Sequence, residues 1–390
     1  MPKPRMDLTR SLVTQMQDAF GADSVMLASD MPSRPAITSG SLALDFATGI
    51  GGLPPDRLIE ISGKEGTGKT ALALLSMANV LDANPKRVAL ILDLEHKIDR
   101  DWLITLVGQE RADRTILSWP DTAEDATNYY RKMVGGDGKK IAPGQVCFAM
   151  FDSIGGAPTS RRNEDATVAS WGGNSLAIGE FARSAAGLAH KHVCQTIGIN
   201  QVRADMSGYN QLIVPGGHAW LHAVSLRLWL KKGKGKATEK VNNEEMQVGY
   251  EVACKVVKNG LGPPWRTASW WFYNVATEKY GFGIDTLEEI VRLGTLTEVI
   301  ERRGGWYHHP GLPADKGDHK VLGRDVLIAY LRDNPEAQKV ISADVMDRLK
   351  NGGFGAEVAP IEPELTPIER AGYANLTSAL RTGVTNFDEA

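Results

Sequence analysis

Gly63, Lys64, Glu65, Gly66, Thr67, Gly68, Lys69 and Thr70 follow the spacing G-x-x-x-x-G-K-[ST]. Glycines here let the backbone curl until successive N–H groups point inward, and the start of a following helix adds its positive end. That arrangement suits the phosphates of a nucleotide. Lys69 would reach the β- and γ-phosphates of ATP, and the Thr70 hydroxyl would ligate Mg2+. The ion's water shell calls for a second acidic group at a strand end, and the apolar run QVCFAMFD supplies one in Asp152, with Ser153 next. Hydrolysis also needs a group that polarises water. The run RVALILDLEH closes on Asp93, Glu95 and His96, and Glu95 is the candidate base.

Such groups act together only if strands deliver them to one edge. RLIEIS (57–62), RVALILD (87–93), QVCFAMFD (145–152) and CQTIGIN (194–200) are nearly continuous in apolar character, as strands buried on both faces of a parallel sheet must be. Helical patterns fill the gaps, which predicts βαβ units in a doubly wound α/β sheet with ligands at the carboxyl ends of its strands. SLRLWL (225–230), YEVACKVV (250–257) and ASWWFY (268–273) follow without helices between them and predict an antiparallel extension. Upstream, Leu8, Leu12, Met16 and Phe20 mark one face of a helix over 7–20, and Pro32 and Pro35 a linker. The expected division is an N-terminal arm and linker (1–36), a core (37–283), a small C-terminal domain (284–352) and a Pro-, Glu- and Thr-rich tail (353–390).

Of the 390 residues, 42% are apolar and 23% charged, enough for a sizeable core in an ordinary globular chain. A net charge of −3 excludes a uniformly basic nucleic-acid protein, so affinity for a polyanion must come from local clusters. Cys147, Cys194 and Cys254 are too dispersed for a disulfide framework or a zinc set, and read as reduced core thiols. The N-terminus lacks the apolar stretch of a signal peptide and no run reaches transmembrane length, so a cytoplasmic protein is expected.

The order of these motifs resembles the bacterial RecA recombinase family, and more distantly the phage UvsX-type recombinases, over roughly residues 7 to 350. ITSGSLALDFATGIGGLPPDRLIEISGKEGTGKT is similar to the family's stretch from the start of the core through its phosphate loop, Glu65 included. LDLEHKIDRDWL resembles the segment carrying the catalytic glutamate, here Glu95, and the resemblance puts Trp102 against the adenine with Asp99 in the same site. WPDTAED and DSIGG continue the match. GINQVR is similar to the strand end that bears the γ-phosphate sensor, here Gln201, and opens the second DNA loop; such a side chain is an element that ATP can bias between two states. GGHAWLHAVSLRL resembles the helix and strand after that loop. KVVKN resembles the strand facing a neighbour's ATP, so Lys258 would serve the adjacent protomer, and GWYHH sits where the family's C-terminal domain has an aromatic pair.

The resemblance implies two DNA loops, 157–174 and 202–217. Arg161, Arg162 and Arg203 would meet phosphates, Tyr209 and Ile213 would pack on or between bases, and Gly216 and Gly217, at the end of the second loop, would also bind DNA. LKKGKGKATEK (230–240), with five lysines in eleven residues, is expected as a hairpin tip for a second, duplex DNA, using Lys231, Lys232 and Lys255. Gly260 departs from the family, which has a second lysine there; the second loop is slightly shorter and the tail holds only scattered acids. The implied protein has a RecA-type P-loop core, a twisted and mostly parallel sheet flanked by helices, an N-terminal helical arm and a small C-terminal α+β domain. Its implied activity is ATP- and Mg2+-dependent strand exchange by a self-associated helical filament on single-stranded DNA, with no membrane role. Two other readings share the P-loop: a ring-forming, helicase-like motor, and a DNA-coating filament that does not hydrolyse ATP, prompted by Gly260.

Overall fold

The computed structural model describes residues 4–21, 24–159, 173–204, 212–213, 215–241, 244–277, 279–315 and 317–351. The chain divides into two compact units, Met1–Pro35 and Ala36–Ala390. The first contains α1 (Pro4–Phe20), closed by Gly21, whose N–H donates to the Gln17 carbonyl at 2.8 Å. Leu8, Leu12, Met16 and Phe20 of α1 are exposed.

Among the described residues of the second unit, one sheet has nine strands. In chain order they are β1 (Leu58–Gly63), β2 (Val88–Asp93), β3 (Thr115–Ser118), β4 (Val146–Asp152), β5 (Gln195–Gln201), β8 (Leu226–Val241), β9 (Glu244–Asn259), β10 (Thr267–Tyr273) and β11 (Gly283–Ile284). Two short strands, β6 (Arg203–Ala204) and β7 (Leu212–Ile213), form a separate ribbon. The sheet order is β11-β10-β9-β8-β1-β5-β4-β2-β3. Pairing is parallel from β8 to β3 and antiparallel from β8 to β11. The four strands expected from continuous apolar runs all form, and the antiparallel extension with them.

One expectation fails. The lysine-rich run 230–240 is no hairpin tip, because β8 and β9 each run for sixteen residues and carry it inside a strand. Two glycines make the long pairing possible. A Cβ on Gly233 would meet the Glu251 carboxylate at 2.5 Å, and one on Gly235 the Trp271 ring at 2.5 Å.

Strand alternation sorts the apolar side chains onto two faces. Ile59, Ile61, Ile91, Met150 and Ile199 meet α2 (Leu42–Ala47), α3 (Lys69–Ala83) and α4 (Arg100–Val107). Leu90, Leu92 and Phe151 meet α5 (Ala123–Gly135), α6 (Gly173–His192) and α7 (Gly217–Ala223). Full burial of each such side chain contributes about 1.5–3 kcal/mol over exposure, so the central strands anchor the edge on which the polar groups sit.

After β11 come α8 (Thr286–Leu296), a four-stranded antiparallel sheet of short strands, α9 (Arg324–Asp333) and α10 (Pro335–Asn351). Ile290, Leu293, Leu327, Leu331 and Ile341 share one continuous apolar cluster with the main sheet. Glu289 adds a polar tie. Fully buried, it accepts from Ser41 Oγ at 2.7 Å and from the Leu42 and Ala43 N–H groups at 3.1 and 3.3 Å, satisfying donors that the start of α2 leaves open. Burial pushes its carboxyl up to about 8 from an ordinary 4.5. The folded state therefore holds an extra proton between those values, and this group's stabilisation is complete below 4.5 and declines as pH rises toward 8. Glu289→Gln is expected to flatten the fall of the thermal midpoint over that window; an unchanged slope in a pH series of melts would contradict it.

Candidate functional site

Parallel pairing brings the carboxyl ends of β1, β5, β4 and β2 to one edge. Gly63 pairs with Gln201, and Asp93 with Asp152. Between β1 and α3 the backbone turns on glycine: Gly66 and Gly68 have φ of +69° and +84°, a region that disfavours residues with a Cβ. At Gly63 a Cβ would meet the Leu230 carbonyl oxygen at 2.5 Å. The Lys64 carbonyl accepts from Thr67 Oγ1 at 2.8 Å and from Lys69 Nζ at 2.9 Å, while Lys64, Glu65 and Gly66 form an exposed crest. The loop is thus tied to its own Lys64 carbonyl, and α3 starts directly after it at Lys69.

Lys69 is buried, and burial lowers its proton affinity against the opposing pull of Asp152, Glu95 and Glu65. Thr70 Oγ1 donates to Asp152 Oδ2 at 3.0 Å. Burial pushes the Asp152 carboxyl up to about 6, and neighbouring Glu95 and Asp93 add to the rise. Asp93 Oδ2 accepts from the Ile98 N–H at 3.0 Å, but its Oδ1 is buried with no hydrogen-bond partner among the described residues. A buried carboxyl oxygen of that kind calls for a cation or an ordered water. Among the described residues no group of three or more His, Cys, Asp or Glu could hold a metal unaided, so an ion here would draw ligands from phosphate and water as well as from Thr70. The loop, the buried ammonium and the Thr70–Asp152 pair fit a magnesium nucleotide.

Glu95 lies at the junction of three elements. It accepts from Ser153 Oγ, from Gln201 Nε2 at 3.0 and 3.4 Å, and pairs with Lys97 Nζ at 2.6 Å. Burial alone would raise its carboxyl, but the bonds from Lys97 and Ser153 and the charges of Lys97 and Lys69 outweigh it and hold Glu95 below the usual range. Sequence reading missed Lys97 and gave Ser153 no role. The available signal was proximity in LEHK, and the structure adds that His96 has φ +54°, which turns the chain so that Lys97 comes back over Glu95. At 63% exposure Lys97 can swing away, whereas Glu95, at 15%, is held.

Trp102 is half-buried against the apolar cluster, and Asp99 caps α4 by accepting from the Trp102 N–H at 2.9 Å. Gln201 leads into the β6–β7 ribbon, where Arg203 and Ile213 are register partners. Gly216 (φ +118°) and Gly217 (φ +70°) then start α7. Arg161, Arg162 and Tyr209 lie outside the described residues.

The three lysines grouped for duplex DNA do not share a face. Lys231 lies 4.6 Å from the Trp229 ring centre and Lys255 5.4 Å from that of Trp265. Trp229 and Lys255 are register partners, so with two-residue alternation Lys231 and Lys255 share one side. Lys232 takes the other side, where a Cβ on Gly66 would stand 3.1 Å from its Nζ. Lys258 Nζ donates to the Leu221 and His222 carbonyls at 2.8 and 3.1 Å. Gly260 is exposed, and among the described residues a Cβ there would meet only the Ser225 carbonyl oxygen, at 3.5 Å.

Comparison with known proteins is consistent along the chain. Residues 8–277 match the family model described as RecA N-terminal domain. The chain is 28% identical to Protein RecA of Staphylococcus carnosus over 381 residues, covering 96% of this chain and 99% of that one. Against Protein RecA of Acinetobacter baylyi it is 28% identical, covering 92% and 96%. Against that of Cereibacter sphaeroides it is 30% identical, covering 87% and 92%.

Proposed function

The chain belongs to the RecA family, and from that premise we propose that it is an ATP-dependent DNA recombinase that forms a helical filament on single-stranded DNA and catalyses homologous pairing and strand exchange in recombination and repair. The observation that carries this reading is the Glu95–Gln201 bond. One partner stands at the phosphate edge and the other at the root of the loop proposed to touch DNA, so a change at either end is felt at the other.

In this reading Gly63 to Thr70 enclose the phosphates, Lys69 neutralises them, and Thr70, with Asp152 through water, would hold Mg2+, which when bound supplies charge neutralisation at the phosphates. Glu95 orients a water and takes its proton once Lys97 moves off. Gln201 reports the terminal phosphate to the loop beyond it, Trp102 and Asp99 border the base, and Lys258 reaches the nucleotide of the adjacent protomer. The exposed apolar face of α1 would dock on that neighbour, a head-to-tail contact that generates an open helix. We further propose residues 37–283 as the ATPase core, 284–352 as a C-terminal domain and Lys231 with Lys255 as a duplex site. Three buried free thiols suit a cytoplasmic location, and among the described residues no helix is long and apolar enough to cross a membrane.

A strand-exchange assay with ATP, with a slowly hydrolysed analogue and without nucleotide tests the proposal. Joint molecules should form with either nucleotide and not without one; closed rings in place of filaments in electron micrographs would favour a helicase-like motor instead. For the DNA loops, replacing Arg162 and Arg203 together by alanine should weaken binding to an oligonucleotide and reduce the salt slope by about 1.4, at roughly 0.7 per lost phosphate contact on a single strand. An unaltered slope would remove these arginines from the site.

A further inference from the structure

Gly198, Glu60, Arg227 and Lys258 are register partners on four adjacent strands, β5, β1, β8 and β9. They form one row across the sheet. Glu60 is fully buried, and a carboxylate there is tolerable only if it is paired. It accepts from the Trp220 indole Nε1 and from Arg227 Nε at 3.0 Å. Trp220 belongs to α7 and is seated where a Cβ on Gly198 would overlap its ring edge at 2.3 Å. Its ring also stacks on Phe181 of α6 with centres 6.3 Å apart. Of the large apolar side chains that could fill this hollow, an indole brings a single N–H donor on a rigid ring, and that donor meets Glu60.

At the far end of the row, Lys258 holds the last carbonyls of α7, where a cation meets the negative end of the helix. Burial and then the Arg227 charge lower the proton affinity of the Lys258 ammonium, and the Glu60 charge opposes them. Helix α7 is therefore pinned from beneath at two points of one row. Its N-terminus is where the second loop ends, and there Asn200 Nδ2 holds the Pro215 carbonyl at 2.7 Å.

We propose that Trp220, Glu60 and Arg227 form a latch tying α7 to the strand that feeds the phosphate loop, and that Lys258 releases it by leaving the α7 carbonyls for a neighbouring protomer's nucleotide. The inference rests on the recombinase reading and deepens it. Lys258 cannot satisfy the helix end and an adjacent phosphate at once, so the row has two states, and nucleotide biases them. Trp220 and Glu60 are positioning residues. They touch no substrate, yet they decide whether a shift at the helix end is carried to the loop or lost in independent motion.

The test uses the full chain as Trp220→Phe and Glu60→Gln, with poly(dT) as the DNA probe. The first keeps an aromatic ring over Gly198 without the N–H; the second keeps the shape of Glu60 without its charge. Both should retain wild-type hydrolysis in the absence of DNA, while the ratio of DNA-stimulated to basal rate falls by about fivefold or more, the lower end of common coupling strengths. Fluorescence of the wild type minus that of Trp220→Phe should change when a slowly hydrolysed ATP analogue and poly(dT) are both added, and that change should vanish in Lys258→Ala. Thermal melts identify a variant that fails to fold, in which case the other carries the result. A wild-type stimulation ratio in folded Trp220→Phe would overturn the latch alone. No stimulation in the wild-type protein would overturn the recombinase reading and the latch with it.

Discussion

Glu95→Gln is expected to lower DNA-stimulated ATP hydrolysis by about a hundredfold or more, within the range ascribed to a lost general base. The substitution keeps the size of the side chain, and its amide oxygen can still accept from Ser153 and Gln201, so the site should keep its shape. It removes the charge that pairs with Lys97 and that helps push Asp152 upward. Binding of ATP and of single-stranded DNA should therefore survive, with filaments that form but do not turn over. Rate and nucleotide affinity, measured together, separate this from general damage. Equal turnover by the variant would take the base assignment away from Glu95.

Lys69→Ala is the second large effect, and it acts on binding. Lys69 is the buried cation of the proposed phosphate loop, and the charges of Asp152, Glu95 and Glu65 act on it. Truncating one member of a buried, hydrogen-bonded charge pair commonly costs about 2–5 kcal/mol, which is roughly thirtyfold to several thousandfold in affinity. Without the ammonium, Asp152 and Glu95 also face each other unscreened, so incoming phosphates meet net negative charge. ATP affinity by titration of a fluorescent analogue should fall by at least that lower factor, and nucleotide-dependent assembly on DNA should disappear. The loop need not collapse, since Thr67 still donates to the Lys64 carbonyl. Near-normal affinity in a folded variant would mean that the phosphates bind elsewhere.

Much of this site is legible before any coordinates. The spacing from Gly63 to Thr70 specifies a loop because positive φ and the absence of a Cβ are local demands, and Gly66 and Gly68 meet them. Asp152, Glu95 and Gln201 stand at or just past strand ends because continuous apolar runs stop there, and parallel strands bring such ends to one edge. The lysine-rich run was misread for a related reason. Glycine and lysine between two apolar stretches ordinarily mark a turn, yet here Gly233 and Gly235 make room for Glu251 and Trp271 and the strand continues.

What the amino-acid order determined, then, was the central strands, their sequence and the groups at their ends, since periodicity, glycine sterics and helix patterns act over a few residues; the edge strands β3 and β11 carried no such mark. Tertiary structure decided which groups meet. The Glu95–Gln201 bond spans 106 positions, Trp220 reaches Glu60 across 160, and Ser41 finds Glu289 across 248. The side of the sheet taken by Lys232 was settled in the same way. Register and facing are fixed by pairing between distant strands, and a shift of one residue would turn every side chain to the opposite side without altering any local preference.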